Sequence, residues 1–114
     1  MKTIVNTACA YFSINGTNRY SLSNNSILHI LVCHRFVQGE VVCAPACRSW
    51  QIDIVQKNSG HIVFSLGGCK NKGFSFEPDT SFEYKLIFTA DKNSTLRLYN
   101  TPGCVTDIIQ NLTV

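Results

Sequence analysis

The chain has 114 residues, six of them cysteine, a formal net charge of +3 and only 15% charged side chains. That is the size of one domain, residues 1–114, and leaves no room for a two-domain enzyme. An apolar share of 45% argues against disorder, and no run approaches the roughly 18 apolar residues of a transmembrane helix.

Taken along the chain, apolar residues recur at period two, the mark of strands. Asn15-Gly16 is a hairpin-type turn. The apolar run Ile27–Phe36 could be a helix capped by Ser26, which has no acidic residue three positions on, or a buried strand; it reads as strand, because the rest of the chain is β and a lone helix would need its own packing face. Val41-Val42, Ile52 and Ile54 around Asp53, and Ile62-Val63-Phe64 are strand-like by composition and alternation. Lys57-Asn58-Ser59-Gly60 is a second hairpin signal. Phe74 and Phe76 alternate with Ser75 and Glu77. After a turn at Glu77-Pro78-Asp79-Thr80, Phe82, Tyr84, Leu86 and Phe88 share one face. Asp91-Lys92-Asn93-Ser94 turns the chain again. Leu96 and Leu98 flank Arg97, and Thr101-Pro102-Gly103 closes that strand. About seven or eight short strands at this spacing predict an all-β fold, an antiparallel β-sandwich or small Greek-key barrel.

The cysteines are Cys9, Cys33, Cys43, Cys47, Cys69 and Cys104. An even count in a short chain predicts a disulfide framework, up to three bridges whose pairing the spacing does not choose. Bridges point to an oxidising, extracellular compartment. Four Asn-x-Ser/Thr triplets, at Asn15, Asn24, Asn93 and Asn111, are candidate glycosylation sites and agree with secretion. After Lys2 the chain lacks the apolar core of a leader, so it reads as the mature form of a secreted protein behind an initiator Met1.

Enzymatic chemistry has little to stand on. His29, Cys33, His34, Cys43 and Cys47 are the right residue types for zinc, but their spacing is not that of paired zinc ligands, and disulfides account for the cysteines. No Gly-x-Ser-x-Gly elbow is present. The carboxylates Glu40, Asp53, Glu77 and Glu83 and three histidines are candidate acids and bases. A small ribonuclease-like hydrolase would need a set such as His61, Glu77 and Arg97 to meet on a sheet. No metal or cofactor is expected, and a small secreted hydrolase stays the alternative to a non-enzymatic protein. Lys70-Asn71-Lys72 ahead of Phe74 and Phe76 is the sole basic-aromatic cluster, and Glu77 and Asp79 weaken its field, so nucleic acid is not the expected partner. Trp50 follows Cys33 at a distance seen in immunoglobulin domains, which makes an immunoglobulin-like binding domain a fold alternative. The later Asp-x-x-x-Tyr-x-Cys pattern of that family is missing.

The segment Leu96-Arg97-Leu98-Tyr99-Asn100-Thr101-Pro102-Gly103-Cys104 resembles small secreted cysteine-containing β-proteins of fungi, with an apolar-aromatic strand ending in a Gly-Cys turn. Cys69 sits in a similar setting. The resemblance covers about a third of the chain and implies an effector- or toxin-like protein that binds a host or competitor target. The expectation is therefore a secreted, non-enzymatic binding protein, monomeric or weakly dimeric, with a protein or glycan partner. Its candidate binding residues are Arg48, Lys70, Lys72 and Arg97, cations near aromatic side chains.

Overall fold

The computed structural model describes residues 2–6, 12–14, 17–22, 26–33, 37–43, 49–79, 81–90, 94–99 and 104–111. At 2–6, 12–14, 33 and 104–111 it describes the course of the backbone alone. The strands are β1 (Lys2–Asn6), β2 (Phe12–Ile14), β3 (Thr17–Leu22), β4 (Ser26–Cys33), β5 (Val37–Cys43), β6 (Trp50–Gln56), β7 (Ile62–Gly68), β8 (Lys72–Phe76), β9 (Glu83–Ala90), β10 (Ser94–Leu98) and β11 (Cys104–Asn111). They form a six-stranded sheet, β1-β11-β4-β9-β6-β7, and a five-stranded sheet, β2-β3-β10-β5-β8. Every pairing is antiparallel. The fold is an all-β sandwich.

One turn organises the central eight strands. Lys57–Gly60 joins β6 to β7, which pair with each other. Outward from that turn, β5 pairs with β8, β4 with β9 and β3 with β10. Residues 17–98 are thus one long hairpin, bent so that successive strand pairs fall in opposite sheets. Pairing of β9 with β6 and of β10 with β5 closes the bends. This double Greek-key order is that of a jelly roll. At the apex the Gly60 amide donates to the Gln56 carbonyl at 2.8 Å. Gly60 has φ of 72°, a left-handed conformation that glycine adopts without a Cβ clash.

The alternation of the sequence sets what is buried. On β9, Tyr84, Leu86, Phe88 and Ala90 face the other sheet, and their odd-numbered neighbours face out. β4 and β6 bury Leu28, Ile30, Val32, Trp50, Ile52 and Ile54 in the same way. From the five-stranded sheet come Tyr20, Leu22, Val37, Val41, Leu96 and Leu98. Each such side chain contributes roughly 1.5–3 kcal/mol through burial. Phe82, expected on the buried face, lies just before β9 and is 40% exposed.

Two expectations need correcting. Cys43 is disulfide-bonded, but Cys69 is a free, exposed thiol. The three-bridge framework therefore fails: five cysteines remain, and intrachain bridges number two at most. Cys69 lies in the corner between β7 and β8, where the chain passes between sheets. Cys9 and Cys47 lie outside the described residues, as do the side chains of Cys33 and Cys104 and those of Asn15, Asn24, Asn93 and Asn111. The immunoglobulin alternative also fails. Trp50 pairs with Ala90, which pairs with Ser26 at the start of β4. Cys33 ends β4, opposite Glu83, so Trp50 sits at the far end of the sheet from it. The Trp50 indole instead donates to the Lys70 carbonyl at 3.0 Å.

Gly39 marks the tightest approach between described strands. A Cβ there would collide with the Arg97 carbonyl oxygen. A Cβ at Gly73 would meet nothing nearer than the Gly39 carbonyl oxygen at 3.7 Å. Gly39→Ala is expected to destabilise the protein by roughly 1–3 kcal/mol, the usual range for overpacking, and Gly73→Ala to be close to neutral. Paired urea denaturation curves check both. Alkylation of folded, unreduced protein should modify Cys69, and Cys69→Ser should remove that adduct from the intact mass.

Candidate functional site: the outer face of the five-stranded sheet

The same alternation that fills the core decides what faces solvent. On β10, Ser94, Leu96 and Leu98 are buried, which turns Thr95 and Arg97 outward, with Tyr99 following. On β5, burial of Val37, Gly39 and Val41 turns Gln38, Glu40 and Val42 outward. On β3, Tyr20 and Leu22 point in, leaving Arg19 and Ser21 outside. On β8, Phe74 points in, so Gly73 and Ser75 are outside.

The register aligns these residues into rows. Arg19 pairs with Arg97, Arg97 with Glu40, and Glu40 with Gly73. A Nη1 group of Arg97 donates to Glu40 Oε1 at 3.1 Å. The Tyr99 hydroxyl donates to the same oxygen at 2.6 Å, and the Tyr99 amide donates to the Gln38 carbonyl at 2.8 Å. Glu40 Oε2 accepts nothing among the described residues. Arg19 makes no hydrogen bond or ion pair among them either. Ser21 and Thr95 hydroxyls lie 3.3 Å apart in the next row. Gly73 leaves the flank of Glu40 without a side chain.

The Arg97–Glu40 side chains are about one-third exposed, 33% and 32%. A pair that open to water contributes at most about 1 kcal/mol. Its main effect is geometric: it holds a guanidinium, a carboxylate and a phenol in fixed positions. The Glu40 hydrogen bond is the largest cause that raises the Tyr99 pKa above 10.0; partial burial and the Glu40 charge add to it, and Arg97 opposes it. The phenol therefore stays a neutral donor through the neutral range.

A second polar cluster, on the outer face of the six-stranded sheet, is arranged differently. Ser65 donates to Asp53 Oδ1 at 2.7 Å, and Gln51 Nε2 donates to Asp53 Oδ1 at 3.0 Å and to Ser65 at 2.8 Å. The side-chain donors of this set find their acceptors within it. No cluster of three or more His, Cys, Asp or Glu suited to a metal occurs among the described residues.

Of the residues singled out from sequence, Arg97 lies in the candidate site. Lys70 is exposed in the β7–β8 corner, where its carbonyl accepts from Trp50. Lys72 donates from Nζ to the Gly67 carbonyl at 3.3 Å, toward the sheet edge and away from Arg97. Arg48 lies outside the described residues. The hydrolytic set does not assemble. His61 precedes β7 in the other sheet, and Glu77 follows β8, four residues beyond the Gly73 position that shares a row with Arg97 and Glu40, a distance of roughly 13 Å along a strand. Arg19 and Tyr99 were not among the binding candidates, and Glu40 was considered only as an acid. Period two carried the missing information: in Arg19-Tyr20-Ser21-Leu22 and Leu96-Arg97-Leu98-Tyr99 every second residue is polar or amphipathic.

No protein-family model matches the chain, and no curated protein matches it. Among solved structures it is similar to one described as "CBM4 structure and function", with 10% identity and a TM-score of 0.37 over 79% of this chain and 61% of that one. It is also similar to the CBM36-1 domain of a multidomain xylanase from the hindgut metagenome of Trinervitermes trinervoides, with 12% identity and a TM-score of 0.33 over 100% of both chains. At those values neither likeness bears on what this protein binds.

The raised Tyr99 pKa fixes the sign of one pH effect. Its bond to Glu40 is complete below the ordinary phenol pKa and is lost as pH rises through the raised value. In absorbance titration near 295 nm, the difference between the parent and Tyr99→Phe should isolate a phenol that ionises above the usual range.

Proposed function

We propose that the chain is a secreted, non-enzymatic binding module that takes a saccharide on the outer face of its five-stranded sheet. The observation that carries this reading is the open network of Arg97, Glu40 and Tyr99. It offers charge-assisted donors, a carboxylate oxygen that accepts nothing among the described residues, and an exposed aromatic ring on one sheet face. Saccharides present hydroxyls that both donate and accept, beside apolar ring faces. Planar polar side chains and a tyrosine ring suit both. Beside Val42, the rest of the described face is polar, with Ser21, Gln38, Ser75 and Thr95, and among the described residues it lacks the buried aromatic anchors that dominate protein interfaces.

The disulfide at Cys43 supports an oxidising compartment. No helix among the described residues is long and apolar enough to cross a membrane. An effector- or toxin-like role, as the resemblance to fungal proteins implies, would use this surface against a host or competitor glycan. A protein partner is the second reading. It is favoured by the outer face of the six-stranded sheet, where Ile27, Leu31, Val55 and Ile87 are half-buried and Ile62 is 55% exposed.

A glycan array followed by calorimetry on its best ligand tests the first reading. Glu40→Gln, Tyr99→Ala and Gly73→Ile, the last placing a branched side chain beside Glu40, should each weaken binding about tenfold or more, equivalent to about 1.4 kcal/mol. Their melting temperatures should stay near that of the parent. Binding unchanged by all three variants, or no saccharide bound at all, would overturn the assignment.

A further inference from the structure

We infer that the ligand of this face is acidic: a carboxylate-bearing saccharide gripped by Arg19 and Arg97 together. This rests on the saccharide reading of the same face and goes beyond it by fixing the ligand's charge.

Arg19 and Arg97 stand directly opposite one another on β3 and β10. Like charges at opposed positions of an antiparallel pair destabilise it, so the fold keeps this juxtaposition against an electrostatic cost. Glu40 offsets one of the two charges and is already committed to Arg97 and Tyr99. The row is therefore left with an excess positive charge, centred on Arg19. The Nε groups of both arginines are buried with no hydrogen-bond acceptor. Those two atoms lie out of a ligand's reach, and Arg97 already has Glu40 as its anion. The terminal nitrogens of Arg19, with no acceptor among the described residues, are the donors left for an anion on the outer face.

The shape of that anion follows from the donors. A guanidinium is a planar fork that matches a carboxylate with two parallel hydrogen bonds, and two forks side by side favour a planar group between or above them. Glu40 is two strands from Arg19, roughly 10 Å at the usual strand spacing. A ligand that places its carboxylate on Arg19 and a hydroxyl on Glu40 Oε2 must therefore span more than one sugar ring. The Tyr99 ring lies beside that path. Glu40 itself repels a second carboxylate at its own position, which selects an oligosaccharide whose acid groups do not all fall on that side of the row.

The test compares uronic-acid oligosaccharides with their carboxyl-reduced counterparts, by calorimetry on the full chain. The acidic member of a pair should bind about tenfold or more tightly, and the preference should shrink as salt is raised. Arg19→Gln should cut acidic binding by a similar factor, leave the neutral counterpart within about twofold, and preserve the melting temperature. Arg19→Lys, which keeps the charge without the fork, should fall between. A double Lys70→Ala/Lys72→Ala variant should match the parent, which separates the site from general attraction to a basic protein. Equal binding of acidic and neutral partners would overturn the inference and leave the saccharide reading standing. Equal loss in the lysine variant, or equal binding of poly-glutamate, would also overturn it. Failure of every saccharide would remove the reading beneath it.

Discussion

A hairpin that is apolar on one face cannot stay extended in water. Between residues 17 and 98 the chain pairs with itself about a single turn, Lys57–Gly60. The strands carry an alternation that leaves one apolar side along their length. Bending the ribbon back on itself is the way to bury that side against more of the same ribbon. The sandwich, its two sheets and its outward-facing rows all follow from this constraint. The turn is tied down accordingly: the Lys57 amide donates to the Glu83 carbonyl at 2.9 Å, linking the apex to the neighbouring strand.

The wrap has a price in tolerance at one place. Bringing β5 and β10 together puts the Gly39 backbone almost against the Arg97 carbonyl, on the inner side of the residue pair whose outer side chains form the Arg97–Glu40 bridge. Core geometry and site geometry thus meet in the same two strands. A displacement of β10 on the inside would move Arg97 and Tyr99 relative to Glu40 on the outside, where the Tyr99–Glu40 bond is short at 2.6 Å.

Much of this was legible in the sequence, for a specific reason. Period-two patterns around Asp53, Ser75, Lys85 and Arg97 reflect strands with one buried face, and all became strands. The run at Ile27–Leu31 was readable as strand although apolar residues occupy both its faces. The apolar outer side of the six-stranded sheet explains that pattern. The strands Lys2–Asn6, Phe12–Ile14, Thr17–Leu22 and Cys104–Asn111 were not anticipated, because their short or mixed patterns acquire meaning only through long-range partners. Counting Cys69 among the bridged cysteines failed because an even number of cysteines does not place them side by side, and Cys69 lands in an exposed corner as a free thiol. The site itself is assembled from β3, β5 and β10. Arg19 and Glu40 meet Arg97 only through register, which no local window reports.

The two outer faces show why exposed polarity alone does not identify a binding surface. Asp53, Ser65 and Gln51 form a set in which each side-chain donor has its acceptor, so a ligand that accepts hydrogen bonds would have to displace an existing one. On the other sheet, Arg19 is a charged donor without an acceptor among the described residues. Breaking the exposed Arg97–Glu40 bridge costs the fold at most about 1 kcal/mol, against the several kcal/mol invested in each cluster of inward side chains. Evolution of that face is therefore nearly decoupled from stability: the odd- or even-numbered side of each strand is held by the core, and the opposite side is free to be selected for what it touches.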